Sequence, residues 1–291
     1  MKKIKESKLD LGEKLYSSDF NDLIFLRDGR LFKRIKSPSI VRDLEDTYHA
    51  MEKKVLMADN FKGIDGLLLP KAAVYDDSDC YVGYIMNYVP GVSLDDYYST
   101  LSDKKKYNIK FHNKIMQELF FKVRELNSNG IIIPDLFTEG NIWINRCRKI
   151  VLIGYDGLQI DNVASYFSST SLGAGEQYTN SKYMKDMQRV LYSNNIDKKS
   201  LMLMFFYYFF ELHFQHRYEF YTEILGYSKN DSLELIFESV NLSDPQLCKA
   251  VIDMYSLNGD NKYIASEINE LAKNYTLTYS DNPYLRVLKK K

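Results

Sequence analysis

Cysteine, histidine and tryptophan are scarce in this sequence of 291 residues. The 3 cysteines, Cys80, Cys147 and Cys248, lie far apart and include no CxxC pair, so they offer neither a disulfide framework nor a zinc site. The 4 histidines, His49, His112, His213 and His216, do not form a metal-ligand set. Net charge is lacking as well: 39 Lys and Arg balance 39 Asp and Glu. No global field therefore draws the chain to nucleic acid or to an anionic membrane, and neither partner is expected. The most apolar run, LMLMFFYYFF at 201–210, is followed by Glu211 and His213. It falls short of the roughly 20 apolar residues that cross a bilayer, which makes it a helix buried in protein. The opening MKKIKESKLDLGEK has no apolar region behind its basic start, so it does not read as a signal peptide. A reducing cytoplasm is the expected location.

What the chain does contain is enough sequence for a substantial core, in one large domain or in two lobes sharing a cleft. Residues 22–36, DLIFLRDGRLFKRIK, read as two strands around the Asp28-Gly29 turn. From Ser39 to Ala58, Val41, Leu44, Tyr48, Met51 and Val55 recur at threes and fours and mark an amphipathic helix. LLLPKAAVY (67–75) and CYVGYIMNYV (80–89) flank an acidic turn and predict a second hairpin. The first third is thus strand, strand, helix, strand, strand.

Pro90-Gly91 ends this unit, and Ser93 to Asp96 start a helix. A long helix follows through Phe111, Ile115, Leu119, Val123 and Leu126, closed by Asn127-Ser128-Asn129-Gly130. Then comes IIIPDLFTEGNIWIN (131–145), two apolar runs around a polar turn, followed by KIVLI (149–153) and Gly154-Tyr155-Asp156-Gly157. Residues 161–182 are rich in Ser, Thr and Gly and read as a long surface segment. The remainder, to about Tyr275, reads as helices, and Lys289 to Lys291 as a solvated end.

In this order the chain resembles the protein kinase superfamily over residues 12–270, as a divergent, bacterial-type Ser/Thr-kinase-like protein or pseudokinase. The resemblance implies an α+β, bilobal fold. Residues 1–86 would form a small β-rich N-lobe with one helix, 87–91 a hinge, and 92–291 a larger helical C-lobe. Lys33 in LFKRIK is placed like the family's strand lysine, on the α and β phosphates of ATP, with Glu52 holding it; Lys36 and Glu45 are alternative assignments. In GYIMNYVPGVSLDDYY, Met86 takes the place behind the adenine, and Asn87, Tyr88 and Val89 form the hinge that bonds the base. Asp135 would orient the substrate hydroxyl, while Asn141 and Asp156 would hold magnesium. Asp197-Lys-Lys-Ser200-Leu201 is similar to the start of the family's most buried helix, whose aspartate bonds the catalytic-loop backbone.

The implied activity is ATP- and magnesium-dependent phosphoryl transfer to a Ser or Thr hydroxyl of a protein. Two departures carry an alternative, a pseudokinase that binds nucleotide or a protein partner as a scaffold. Residues 16–24 contain no glycine where a loop should cover the phosphates, and Ile133-Pro134 replace the usual His-Arg. Two registers are also open for the metal motif, Asp156-Gly157-Leu158 and Gly154-Tyr155-Asp156. A kinase of small molecules would share the same residues.

Overall fold

The computed structural model describes residues 1–17, 21–36, 45–106, 108–134, 136, 140–163, 165, 197, 200, 201, 204, 208, 266, 269, 270, 272–279 and 286–291. The fold is α+β. Its largest element is a six-stranded sheet of β1 (Lys2–Lys5), β2 (Leu11–Ser17), β3 (Asn21–Leu26), β4 (Arg30–Ile35), β5 (Pro70–Tyr75) and β6 (Tyr81–Asn87). The order across the sheet is β1-β5-β6-β4-β3-β2, with β1 parallel to β5 and all other pairs antiparallel. Helix α1 (Glu45–Met57) connects β4 to β5 and packs on one face of the sheet.

Both hairpins expected from the turn signals are present as β3–β4 and β5–β6. Strands β1 and β2 add to them. They sit at opposite edges of the sheet, so the chain between them crosses the face remote from α1. There Leu9 packs on a small apolar cluster of Ile24, Leu26, Phe32, Ala72, Val74 and Ile85. Glu6 clasps Arg34 at 2.6 Å on the same crossing. The N-terminal segment thus covers a face that alternation along β3 to β6 makes apolar.

Alternation breaks within β6. Along this strand Tyr84 and Met86 join the core under α1 while Ile85 faces the outer cluster. Regular pleating would send Tyr81 outward, yet Tyr81 lies in the α1 core and Val82 packs outside. The register against β5 slips between Val74↔Gly83 and Tyr75↔Tyr81. Gly83 has φ 148°, and a Cβ there would stand 2.0 Å from the Lys33 carbonyl oxygen. Glycine permits the bulge, and the bulge turns both tyrosines to one side.

Beyond the sheet come the short strand β7 (Gly91–Ser93) and helices α2 (Leu94–Ser99), α3 (Asp103–Lys106) and α4 (Ile109–Ser128). Ser93 caps α2 by accepting from Asp96 N at 3.0 Å, and Asn108 caps α4 by accepting from Phe111 N at 3.1 Å. Along α4, Met116, Leu119, Phe120, Val123 and Leu126 are buried at the expected threes and fours. Each such side chain contributes about 1.5–3 kcal/mol by leaving water. Strands β8 (Ile131–Ile132), β9 (Ile142–Asn145), β10 (Ile150–Leu152) and β11 (Gln159–Ile160) follow. They build a β10-β9-β7 sheet and a β8–β11 pair.

Asp197, Ser200, Leu201, Met204 and Tyr208 are helical and buried, in keeping with the apolar block that begins there. One apolar cluster runs from Leu31 and Tyr84 through Met51 and Val55 to Leu119, Val123, Leu201 and Leu277. Leu277 belongs to a hairpin of β12 (Tyr275–Tyr279) and β13 (Arg286–Lys290), where the sequence pattern predicts a helix end and a solvated tail. The alternating YTLTY favours a strand once a partner is supplied. No described helix is long and apolar enough to cross a membrane. The start of the helix expected from Ser39, most of the 161–182 segment and most of the block at 201–210 lie outside the described residues.

The bulge gives a direct test. Gly83→Ala should lower stability by about 2 kcal/mol or more, because a side chain at this φ must displace the backbone of β4. Urea unfolding midpoints of the two proteins measure it.

Candidate functional site

Lys33 and Tyr84 are cross-strand neighbours on β4 and β6 and therefore point the same way. Both reach one atom. Lys33 Nζ lies 2.7 Å from Asp156 Oδ1, and the Tyr84 hydroxyl donates to the same oxygen at 2.8 Å. Asp156 is 2% exposed. Burial pushes its carboxyl up, but the charge and hydrogen bond of Lys33, the Tyr84 hydroxyl and the charge of Lys54 outweigh it and leave the group below its ordinary value. Burial and the adjacent carboxylate drive the Tyr84 phenol well above its own.

The turn that presents Asp156 is held from α1. Lys54, fully buried, donates through Nζ to the carbonyl oxygens of Asp156 and Leu158. In return the Tyr155 hydroxyl donates to the Lys54 carbonyl at 3.0 Å. A lysine on the apolar stripe of Met51, Val55 and Ala58 is the signal in the sequence that points to this contact, and the resemblance, which pairs Lys33 with Glu52, makes no use of it.

Glu52 sits elsewhere. Its Oε1 accepts from the Tyr75 hydroxyl at 2.5 Å and lies 3.9 Å from Lys3 Nζ. The pairing of Lys33 with Glu52 is thus replaced by the pairing of Lys33 with Asp156. The reason is helical geometry: two residues turn the helix by about 200°, so when Lys54 faces the Asp156 turn, Glu52 faces β5. Lys36, the alternative lysine, is 3.0 Å from Asp22 Oδ1 and bonds Ser17. The side chain of Glu45, the alternative glutamate, lies outside the described residues.

Asn141 and the Asp156 turn are brought together. Ile153 N donates to the Asn141 carbonyl at 2.9 Å. The Asn141 side-chain oxygen stands 2.8 Å from where a Cβ on Gly154 would be, and Gly154 has φ 83°. The residue before the turn must be glycine on both counts. Among the described residues no group of three or more His, Cys, Asp or Glu side chains could hold a metal. A divalent ion in this corner would rely on oxygens of Asp156 and Asn141, a hard donor pair that suits magnesium with water or phosphate completing the shell.

Asp135 itself lies outside the described residues, but the backbone leading to it is fixed. Asp197 Oδ1 accepts from Ile133 N at 2.9 Å, and its Oδ2 accepts from Asn127 Nδ2 at 2.6 Å. This is the support from a buried helix that the Asp197-Lys-Lys-Ser200-Leu201 motif predicts. Met86, expected behind the adenine, is buried near the end of β6; of the residues expected to form a hinge, Asn87 and Tyr88 are exposed, and Phe25 meets the Tyr88 ring edge-on at 5.5 Å. The Val89 carbonyl accepts from Trp143 Nε1 at 3.1 Å, which ties the segment after β6 to β9.

The segment without glycine, 16–24, includes the end of β2 and the start of β3, and side chains cross-link these two strands there. Asp22 receives Lys14 at 2.9 Å, Ser17 at 2.8 Å and Lys36 at 3.0 Å. Burial pushes its carboxyl up, and these three donors bring it down to about 2. Because this folded value lies below the unfolded one of about 3.9, the stabilisation is complete above that pH and is lost as pH falls through about 2. Asp22→Asn should therefore be less stable than the parent at neutral pH, by about 1 kcal/mol since both lysines are partly solvated. Denaturant midpoints measured against pH should show the difference closing between about pH 4 and about pH 2. The chain matches no family model and no curated protein.

Proposed function

We propose that the chain is a protein-kinase-like phosphotransferase of bilobal fold, transferring a phosphoryl group from ATP to a Ser or Thr hydroxyl with magnesium. The observation that carries this reading is the meeting of Lys33 and Asp156, 123 residues apart in sequence, at 2.7 Å. Phosphoryl transfer needs a lysine that neutralises phosphate charge and a carboxylate that takes a metal in one place. The sheet with helix α1 between β4 and β5 fits the small β-rich lobe of this family. The Asp197 bond to Ile133 supports a rigid seat for the Asp135 loop.

On this reading Lys33 would neutralise the α and β phosphates, and Asp156 and Asn141 would hold the magnesium. The ion supplies charge neutralisation across the phosphates when bound. Asp135 orients the attacking hydroxyl. Met86 backs the adenine, and the backbone of Asn87, Tyr88 and Val89 bonds it. Of the two registers, the one beginning at Asp156 fits the reading, because its carboxylate is the one that meets Lys33.

A second reading, a catalytically impaired scaffold, is favoured by one observation: Glu52 is bonded to Tyr75 instead of holding Lys33. The two readings differ in what Asp135 does. In the phosphotransferase, Asp135→Asn removes about 99% or more of transfer from radiolabelled ATP to a mixed peptide substrate, about 3 kcal/mol in the barrier, while the thermal midpoint is unchanged. Undiminished transfer rejects the assignment. Thermal shift with ATP should require magnesium, and Asp156→Asn, which keeps the shape but not the charge, should abolish that magnesium-dependent shift. A scaffold would shift without magnesium or not at all.

A further inference from the structure

The pleat of β6 sets Tyr84 between Lys33 on β4 and Ala73 on β5. Its ring is buried in the core under α1, where a phenol gives up its hydrogen bonds to water. It recovers one from Asp156, whose Oδ1 accepts from the hydroxyl at 2.8 Å. Lys33 Nζ reaches that same oxygen at 2.7 Å. Among the described residues no hydrogen bond reaches Asp156 Oδ2. Lys54 acts on the turn in another way, through the backbone carbonyls of Asp156 and Leu158. The direction of the carboxylate is therefore set by two side chains, both at one of its oxygens.

The two donors differ in charge, and that difference divides their work. Lys33 is a cation, so it competes with a metal ion for the negative charge it pairs with, and on the phosphotransferase reading it also serves the phosphates. A tyrosine hydroxyl is neutral at ordinary pH. It can orient a carboxylate without cancelling the charge that a divalent ion takes up, and a hydrogen bond to a ligating carboxylate tunes the affinity of the metal site. We infer that Tyr84 is a positioning residue for magnesium: its hydroxyl pins Oδ1 of Asp156, which fixes the rotation of the carboxylate and leaves Oδ2 to the ion. The inference rests on the phosphotransferase reading, which gives the ion to Asp156, and adds to it the side chain that governs how tightly the ion is held. Tyr84 sits on a central strand and does not depend on Lys33, so Asp156 keeps its orientation when the lysine turns to the phosphates.

Tyr84→Phe keeps the ring and removes only the hydroxyl. Its effect is read, without turnover, from the magnesium concentration that half-saturates the thermal shift produced by ATP. In Tyr84→Phe that concentration should be about tenfold higher than in the parent. At saturating magnesium the shift should stay near the parent's, because the contacts to ATP are untouched. A hydroxyl that serves only the fold would lower the ligand-free midpoint and leave the half-saturating concentration where it was, and that result would overturn the inference. If Tyr84→Phe does not fold, Tyr84→Met, flexible enough to fill the space and lacking a donor, takes its place with the same expected rise. A parent protein with no magnesium-dependent shift would reject the phosphotransferase reading and this inference with it. A parent that shows the shift, beside a variant with an unchanged half-saturating concentration, would reject the role of Tyr84 alone.

Discussion

One carboxylate organises this molecule. Asp156 is almost wholly removed from water, and a lone buried carboxylate would take up a proton or unfold its surroundings. It stays charged because Lys33 bonds it directly and Lys54 lies close enough for its charge to act. Those two lysines come from the sheet and from α1, so the sheet, the helix and the turn at 155–157 are positioned by one electrostatic requirement. Such a pair adds little net stability over an apolar replacement, yet breaking it from one side costs about 3–5 kcal/mol. The arrangement therefore fixes geometry more than it deepens the folded state.

The parts of the fold that are readable from sequence are those specified locally. The hairpins β3–β4 and β5–β6 follow from turn residues between alternating runs, and α4 follows from its apolar spacing and its glycine stop. Strand β1 is unreadable because KKIK has no apolar alternation, and its place beside β5 is set by long-range pairing. Strand β2 is exposed throughout, so its sequence carries no burial signal. The β12–β13 hairpin depends on Leu277 finding the core and on a partner strand, and the alternation of YTLTY supplies neither.

The site divides in the same way. Lys33, Asn141 and Asp156 could be singled out from their order along the chain, as could the place of Asp197 beneath Ile133. Who pairs with whom could not, because partner choice is angular. Whether Glu52 or Lys54 faces the Asp156 turn depends on the rotation of α1 about its axis, and a spacing of two residues reverses the answer. The inward turn of the Tyr81 ring is hidden for a different reason: unbroken pleating through Gly83 would turn it to the other face of the sheet.

The turn Gly154-Tyr155-Asp156-Gly157 shows how much one short segment has to satisfy. Gly154 leaves room for the Asn141 side chain at a positive φ, and its carbonyl accepts from Gly157 N at 2.9 Å, closing the turn. Tyr155 anchors to the backbone of α1 through its hydroxyl, and Asp156 receives the lysine of β4. Gly157 offers its carbonyl to the Ser165 hydroxyl, so the chain beyond the turn is tied back as well. A longer side chain at Gly154 would push Asn141 away, and loss of the Tyr155 hydroxyl would loosen α1 from the turn. Either change would move Asp156 relative to Lys33 without touching the carboxylate. Distance between these two groups is thus controlled by residues that never contact both, and the Asp156 corner can be tuned through α1 and Asn141.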